Sequence, residues 1–282
     1  MARLQVSVAP QEEREIHRFS VKESEIPSIL SLTLRPLETP GALKVRVEEV
    51  GGACEKTIEC LSGKTLYTPV NVAGEYRVLV ANAEHYDQSL EATLSLSRSE
   101  KVLLGEYYVV RQLSSRARLV TDGERLLVLK SLGGEAWRVA LEEKFSGIQA
   151  WAYLSNATGA RVPRLVSFYV DAKTLAYEYV EGTPLSDVIV EENAQRRPSV
   201  GEVLSILRDA AITLHTVNEN DVLYRDLKPQ HLIATERGTY IVDWEHACRM
   251  PDCLHPVGQA RYAAPEALYR KFHKKSDVYS FG

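Results

Sequence analysis

Tyr224-Arg225-Asp226-Leu227-Lys228-Pro229-Gln230-His231 is the stretch on which the reading of this chain turns. One short loop presents an ionised carboxylate, a lysine two places on and a potential metal ligand five places on. Pro229 stiffens it, and apolar pairs hold its ends, Val222-Leu223 before and Leu232-Ile233 after. Beyond the loop, Thr239-Tyr240-Ile241-Val242 reads as a strand that delivers Asp243, 17 residues after Asp226. A strand–turn–strand distance of that length can bring both carboxylates to one cleft.

A base, a charge stabiliser and a cation site at fixed offsets are what transfer of a phosphoryl group to a hydroxyl requires. The octet resembles the catalytic loop of the eukaryotic-type protein kinases, H-R-D-L-K-P-x-N, with Tyr224 at the His position and His231 at the Asn position. Four further stretches resemble motifs of that family, in its order. Leu127-Val128-Leu129-Lys130 is similar to the strand that ends in V-A-I-K, and Asp243-Trp244-Glu245 to the D-F-G turn. Ala264-Pro265-Glu266 matches A-P-E, and Asp277-Val278-Tyr279-Ser280-Phe281-Gly282 matches D-V-x-S-x-G.

The resemblance implies an ATP-dependent protein kinase using Mg²⁺. Lys130 would hold the α- and β-phosphates. Backbone groups at Glu178 and Val180, in a hinge-like run after Tyr177, would meet the adenine edge. Asp226 would accept the proton of the substrate hydroxyl, and Lys228 would neutralise the moving phosphoryl and favour Ser/Thr acceptors. Asp243 and His231 would bind the metal. Imidazole suits softer ions than Mg²⁺, so Mn²⁺ is the alternative cation.

The departures from the family pattern carry expectations of their own. Leu113-Ser114-Ser115-Arg116-Ala117-Arg118-Leu119-Val120 stands where the family has a glycine-rich phosphate loop, and it holds no glycine. A helix is expected from Glu135 to about Leu154, with Trp137, Leu141, Phe145, Ile148 and Ala152 as its apolar stripe. Its candidates for pairing with Lys130 are Glu142, Glu143 and Gln149. Ser199-Val200-Gly201-Glu202 is a capping box that opens a second helix, leading into the octet. Between Asp243 and Glu266 there is no serine or threonine to phosphorylate, although Arg225 is the family's usual partner for such a phosphate. His246, Cys248, Cys253 and His255 in that segment form a spacing that zinc could use; a small disulfide is the plainer reading.

Residues 1–100 read as an all-β sandwich. Alternating runs at Leu4-Val6-Val8, Ile29 to Leu34, Leu43-Val45-Val47, Tyr76-Val78-Val80 and Leu90 to Leu96 are separated by turns at Thr39-Pro40-Gly41, Gly51-Gly52, Ser62-Gly63 and Ala73-Gly74. About seven short strands suggest an immunoglobulin-like arrangement, an accessory domain that docks a protein partner. Residues 106–282 then form an α+β two-lobed kinase-like domain, small lobe 106–180 and partial large lobe 181–282. In the family several helices follow the position of Gly282, so the large lobe is read as incomplete, and this chain alone is expected to be poorly stable and weakly active.

Of the 282 residues, 45% are hydrophobic and 26% charged, which suits a chain able to bury a core. A net charge of −4 gives no reason to expect nucleic acid or an anionic membrane as partner. No apolar run approaches a bilayer span, the start lacks a signal-peptide core, and four cysteines are no disulfide framework, so the expected location is the cytoplasm. Two alternatives stay open: a nucleotide-binding pseudokinase or scaffold, and a small-molecule phosphotransferase.

Overall fold

The computed structural model describes all residues except 38–42, 52–54, 61–63, 85–86, 104–105, 134–140, 158, 191–197 and 256–257. The turns at Thr39-Pro40-Gly41, Gly52 and Ser62-Gly63, the expected helix start with Trp137, and the side chain of Glu142 lie outside the described residues. Two compact units emerge, Met1–Gln112 with Arg118–Leu126, and Leu113–Ala117 with Leu127–Gly282.

In the first unit, β1 (Ala2–Val8), β3 (Ser28–Pro36), β6 (Thr65–Val70) and β8 (Gln88–Arg98) form an antiparallel sheet in the order β1-β8-β3-β6. β2 (Glu13–Val21), β4 (Leu43–Glu49), β5 (Glu55–Cys60) and β7 (Gly74–Asn82) form another in the order β2-β7-β4-β5. Alternation places Leu30, Leu32, Leu34, Leu90, Ala92 and Leu94 of one sheet and Val45, Val47, Val78 and Val80 of the other in one buried cluster. Burial of such side chains, each contributing about 1.5–3 kcal/mol, holds the sheets together.

The immunoglobulin-like expectation needs correction. Among the described residues the two sheets together hold eight strands, the first pairs with the last, and the chain changes sheet at nearly every connection. That is the two-sheet order of a jelly roll, whereas the immunoglobulin order keeps its first two strands as neighbours. The strands missing from the sequence reading are β2, β5 and β6, all at sheet edges. The same unit continues through β9 (Lys101–Val102), β10 (Tyr107–Gln112) and β11 (Ala117–Thr121), with β9–β10 and β10–β11 antiparallel. After β11, Asp122 Oδ1 accepts from the N–H groups of Glu124 and Arg125, and Gly123 takes φ +95°, so the Asp-Gly turn forms.

The second unit contains β12 (Leu126–Ser131), which pairs antiparallel with β14 (Thr174–Glu178), and β13 (Leu165–Tyr169) flanks β14. Helix α1 (Leu141–Ala157) lies between β12 and β13 in sequence. Its buried stripe is Gly147, Ile148, Ala150, Trp151 and Leu154, turned from the expected one: Phe145 and Ala152 are only half-buried. Trp151 explains the turn, because its Nε1 donates to Pro163 O at 2.8 Å and its ring meets Tyr177 edge-on. Gly147 lets the helix approach so closely that a Cβ there would stand 2.0 Å from Ala247 O.

β15 (Thr183–Pro184) and α2 (Leu185–Val190) follow, and then α3 (Val200–Glu219) opens at the predicted capping box: Ser199 accepts from Glu202 N–H, and Glu202 returns a carboxylate to Ser199 N–H. Ile206, Ala210, Leu214 and Val217 bury its inner face. β16 (Val222–Leu223) pairs with β19 (Cys248–Arg249), and β17 (Leu232–Thr235) with β18 (Gly238–Ile241). Short helices α4 (Pro265–Leu268) and α5 (Lys274–Phe281) end the chain.

Candidate active site

The octet runs from β16 through a 3-10 turn at Pro229–His231 into β17, so short strands clamp both ends of the loop. Arg225 takes φ +69°, a region costly for a residue with a Cβ. Asp277 of α5 holds it there: Oδ2 accepts from Tyr224 N–H at 2.7 Å and Oδ1 from Arg225 N–H at 2.8 Å. Burial pushes the Asp277 carboxyl up, against these two bonds, which favour its charged form.

Lys228 Nζ donates to Asp226 Oδ2 at 2.9 Å. His231 Nδ1 lies 2.9 Å from Asp226 O, a pure acceptor, so Nδ1 carries the hydrogen in that bond. The Tyr224 hydroxyl, 2.8 Å from the same nitrogen, donates onward to Val242 O and is free to accept. These contacts orient the imidazole, and its Nε2 faces Asp243 Oδ2 at 3.3 Å while Nδ1 is 3.6 Å from Asp226 Oδ2. Asp243 is itself in the left-handed region, at φ +66°. Lys130 Nζ donates to its Oδ1. Despite burial, hydrogen bonds and charge from His231 and Lys130 hold the Asp243 carboxyl well below the usual carboxylate range. Lys130, Asp243, His231, Asp226 and Lys228 are thus linked contact by contact.

Lys130 has a second carboxylate, Glu245 Oε1 at 3.3 Å. Glu245 also accepts from Arg116 Nη2 at 3.1 Å and lies 3.5 Å from His246 Nε2. The helix candidates fare differently. Gln149 is exposed, and Glu143 is buried against Arg225 and His255. Its Oε2 accepts from His255 N–H at 3.1 Å and sits 2.6 Å from His255 Nδ1, while Oε1 makes a close ion pair, 2.5 Å, with Arg225 Nη1. Among the described residues, Lys130 therefore pairs within Asp243-Trp244-Glu245 and not with α1. Nothing in the sequence reading assigned that role to Glu245; the signal was its charge at a position where the family has glycine.

The zinc idea is also corrected. Cys248 and Cys253 are joined in a disulfide, His255 is taken by Glu143, and no metal-binding cluster occurs among the described residues. The disulfide packs into an apolar patch with Leu223, Met250 and Phe272.

Tyr177, buried and edge-on to Trp151, closes the inner end of β14, and burial raises its hydroxyl pKa. Val180 lies past the end of that strand, outside its ladder. Glu178 N–H donates to Arg164 O at 2.9 Å, so only its carbonyl side is left to meet a ligand. In the loop at residues 113–117 the N–H groups of Leu113 and Ser114 both turn inward to Ala117 O.

Asp243 and His231 would offer a divalent cation two donors, one carboxylate and one imidazole, and Lys130 is the buried cation beside them that would face phosphate. Residues 142–282 match the protein kinase domain family, half of the chain, and the chain belongs to the protein kinase superfamily. It is similar to serine/threonine-protein kinase PksC of Streptomyces coelicolor, 31% identical over 174 residues, 56% of this chain and 31% of that protein. Serine/threonine-protein kinase PknB of Mycobacterium leprae is 29% identical over 144 residues, 45% of this chain and 23% of that protein. Inhibitor of nuclear factor kappa-B kinase subunit alpha of Gallus gallus is 29% identical over 130 residues, 43% of this chain and 17% of that protein. The matches span less than a third of each relative's length.

Proposed function

We propose that the protein transfers the γ-phosphoryl group of ATP to serine or threonine hydroxyls of a protein substrate. The observation that carries this reading is the unbroken line of contacts from Lys130 through Asp243 and His231 to Asp226 and Lys228. Bound between Asp243 and His231, the cation would neutralise charge on the phosphates. Lys130 binds and orients the α- and β-phosphates. Asp226, on the strained loop that Asp277 anchors, orients the acceptor hydroxyl and takes its proton at a carboxylate oxygen. Lys228, now 2.9 Å from Asp226, neutralises the phosphoryl group as it moves. Glu178 O and Val180 N–H meet the adenine edge.

The jelly-roll unit is read as an accessory module that docks a protein partner, and the cytoplasm as the site of action; among the described residues no helix is long and apolar enough to cross a membrane. The inward-turned N–H groups at Leu113 and Ser114 favour one second reading, a pseudokinase that holds nucleotide without transfer.

Labelled ATP with Mg²⁺ or Mn²⁺ decides between them, comparing wild type and Asp226→Ala in the full-length protein. The kinase reading expects transfer that falls by at least about 10²-fold in the variant. Nucleotide binding with no transfer under either cation establishes the pseudokinase instead.

A further inference from the structure

We propose that Glu245 is the residue that positions Lys130 for the nucleotide phosphates, in place of any carboxylate on α1. The inference rests on the kinase reading and goes beyond it, because it moves a positioning role from a helix to the turn that also carries Asp243.

Lys130 is buried, its side chain 9% exposed, and it has two carboxylates in reach, Asp243 and Glu245. Asp243 does not serve Lys130 alone. Its Oδ1 accepts from Lys130 while its Oδ2 faces His231, where the cation would be held, so its charge would be shared between the two. Glu245 is not called away in the same manner. Its side chain is 5% exposed and already held by Arg116 on one side and His246 on the other. A buried lysine left without a counter-charge is costly, and a carboxylate that stays is what keeps its Nζ aimed.

The turn is built to be stiff. Trp244 is buried, its Nε1 donates to Ile241 O at 2.7 Å, and Ala247 N–H closes the 3-10 turn on Trp244 O at 3.1 Å. The ring lies edge-on to Tyr224, with centroids 4.9 Å apart. From outside, α1 presses on the same segment at Gly147, where only a hydrogen fits against Ala247 O. The helix thus acts as a buttress for the turn. Its own buried acid, Glu143, is already committed to Arg225 and His255.

The rival is Glu142. Full-length wild type, Glu245→Gln, Glu245→Asp, Glu142→Gln and Gln149→Ala are compared for equilibrium binding of a fluorescent ATP analogue, with Mg²⁺ and with chelator. Loss of the buried ion pair with Lys130 predicts affinity about tenfold weaker or more in Glu245→Gln, with and without cation. Partial recovery is expected in Glu245→Asp, and little change in Glu142→Gln or Gln149→Ala. A loss in Glu142→Gln with affinity kept in Glu245→Gln overturns the proposal, as does a Glu245→Gln defect seen only with cation, which would make Glu245 a metal ligand.

Thermal unfolding without nucleotide provides a second readout. Lys130→Met, Glu245→Gln and the double variant form a cycle, and direct pairing requires the double variant to unfold at a higher temperature than the two single losses add up to. Additive losses overturn the pairing. If wild type binds no nucleotide, the kinase reading falls by itself, and the cycle still decides whether Glu245 holds Lys130.

Discussion

Glu143→Gln is expected to destabilise the second unit far more than its conservative chemistry suggests. The Arg225 side chain is 5% exposed and Glu143 4% exposed, so neither charge has water to fall back on. Without the carboxylate, the guanidinium keeps three contacts: Nε donates to His246 O at 2.8 Å, Nη1 donates to His255 O at 3.0 Å, and the Phe272 ring lies 5.1 Å away. All three are neutral. Breaking one side of a buried ion pair costs about 3–5 kcal/mol. Retained carbonyl bonds argue for the lower end, about 3 kcal/mol, which for a unit of this size lowers the unfolding midpoint by roughly 6–12 °C. Calorimetry of wild type and variant at neutral pH measures it. The pH dependence supplies an internal check. The Arg225 charge and the bonds from His255 hold the Glu143 carboxyl below its ordinary range, against burial. A folded pKa below the unfolded one means stabilisation that is complete above the unfolded value and lost as pH falls through the folded one. The gap between wild type and variant should be constant near neutrality and shrink below about pH 4. A midpoint shift under about 3 °C, or a gap that does not close in acid, would refute this account of the pair.

Two further expectations follow from contacts of the same turn and segment. Gly147→Ala should destabilise although alanine favours a helix by about 1 kcal/mol, because its Cβ would sit 2.0 Å from Ala247 O and force α1 off the turn. A net loss of about 2 kcal/mol, seen as a midpoint lowered by roughly 4–8 °C, is expected from overpacking, and a raised midpoint would contradict the close approach. Reducing the Cys248–Cys253 disulfide, which closes a loop of sequence separation 5, should cost about 2 kcal/mol by loop entropy. Thiol counting with and without reductant, paired with unfolding midpoints and metal analysis, checks it: stoichiometric zinc with two free thiols would restore the metal site instead.

How much of this was legible in the sequence divides along a physical line. Residues whose job is set by a short stretch of backbone were readable: the octet between two apolar pairs, the capping box at Ser199, the alternation of Leu30-Leu32-Leu34. Pairings between distant segments were not. The N-terminal alternation announces half-buried strands but does not say which strand pairs with which, so a seven-strand immunoglobulin order and an eight-strand jelly-roll order look alike. The three missed strands show why the count went wrong. β2 reads Glu-Arg-Glu-Ile-His-Arg-Phe-Ser-Val and β6 carries Pro69, and edge strands, with one side of the ladder open, tolerate such charge and proline.

The charge wiring of the site is the sharper case. Counting acids and bases near the motifs gives the right inventory, yet the resemblance points Glu142, Glu143 or Gln149 at Lys130, while the fold sends Glu143 to Arg225. Burial decides it. Once Asp277 pins Arg225 at φ +69° with its guanidinium beneath the segment that follows Asp243, that cation needs a carboxylate, and this segment offers no serine or threonine to carry a phosphate there. Glu143 faces the gap from α1 and fills it. Among the described residues Lys130 then takes its partners from the turn, Asp243 and Glu245, the latter standing where a glycine would leave nothing. One unusual residue in the turn and one buried acid on the helix are therefore parts of a single rearrangement: among the described residues, glycine at 245 would leave Lys130 with Asp243, and glutamine at 143 would leave Arg225 with only the charge of Asp277, which its guanidinium does not touch.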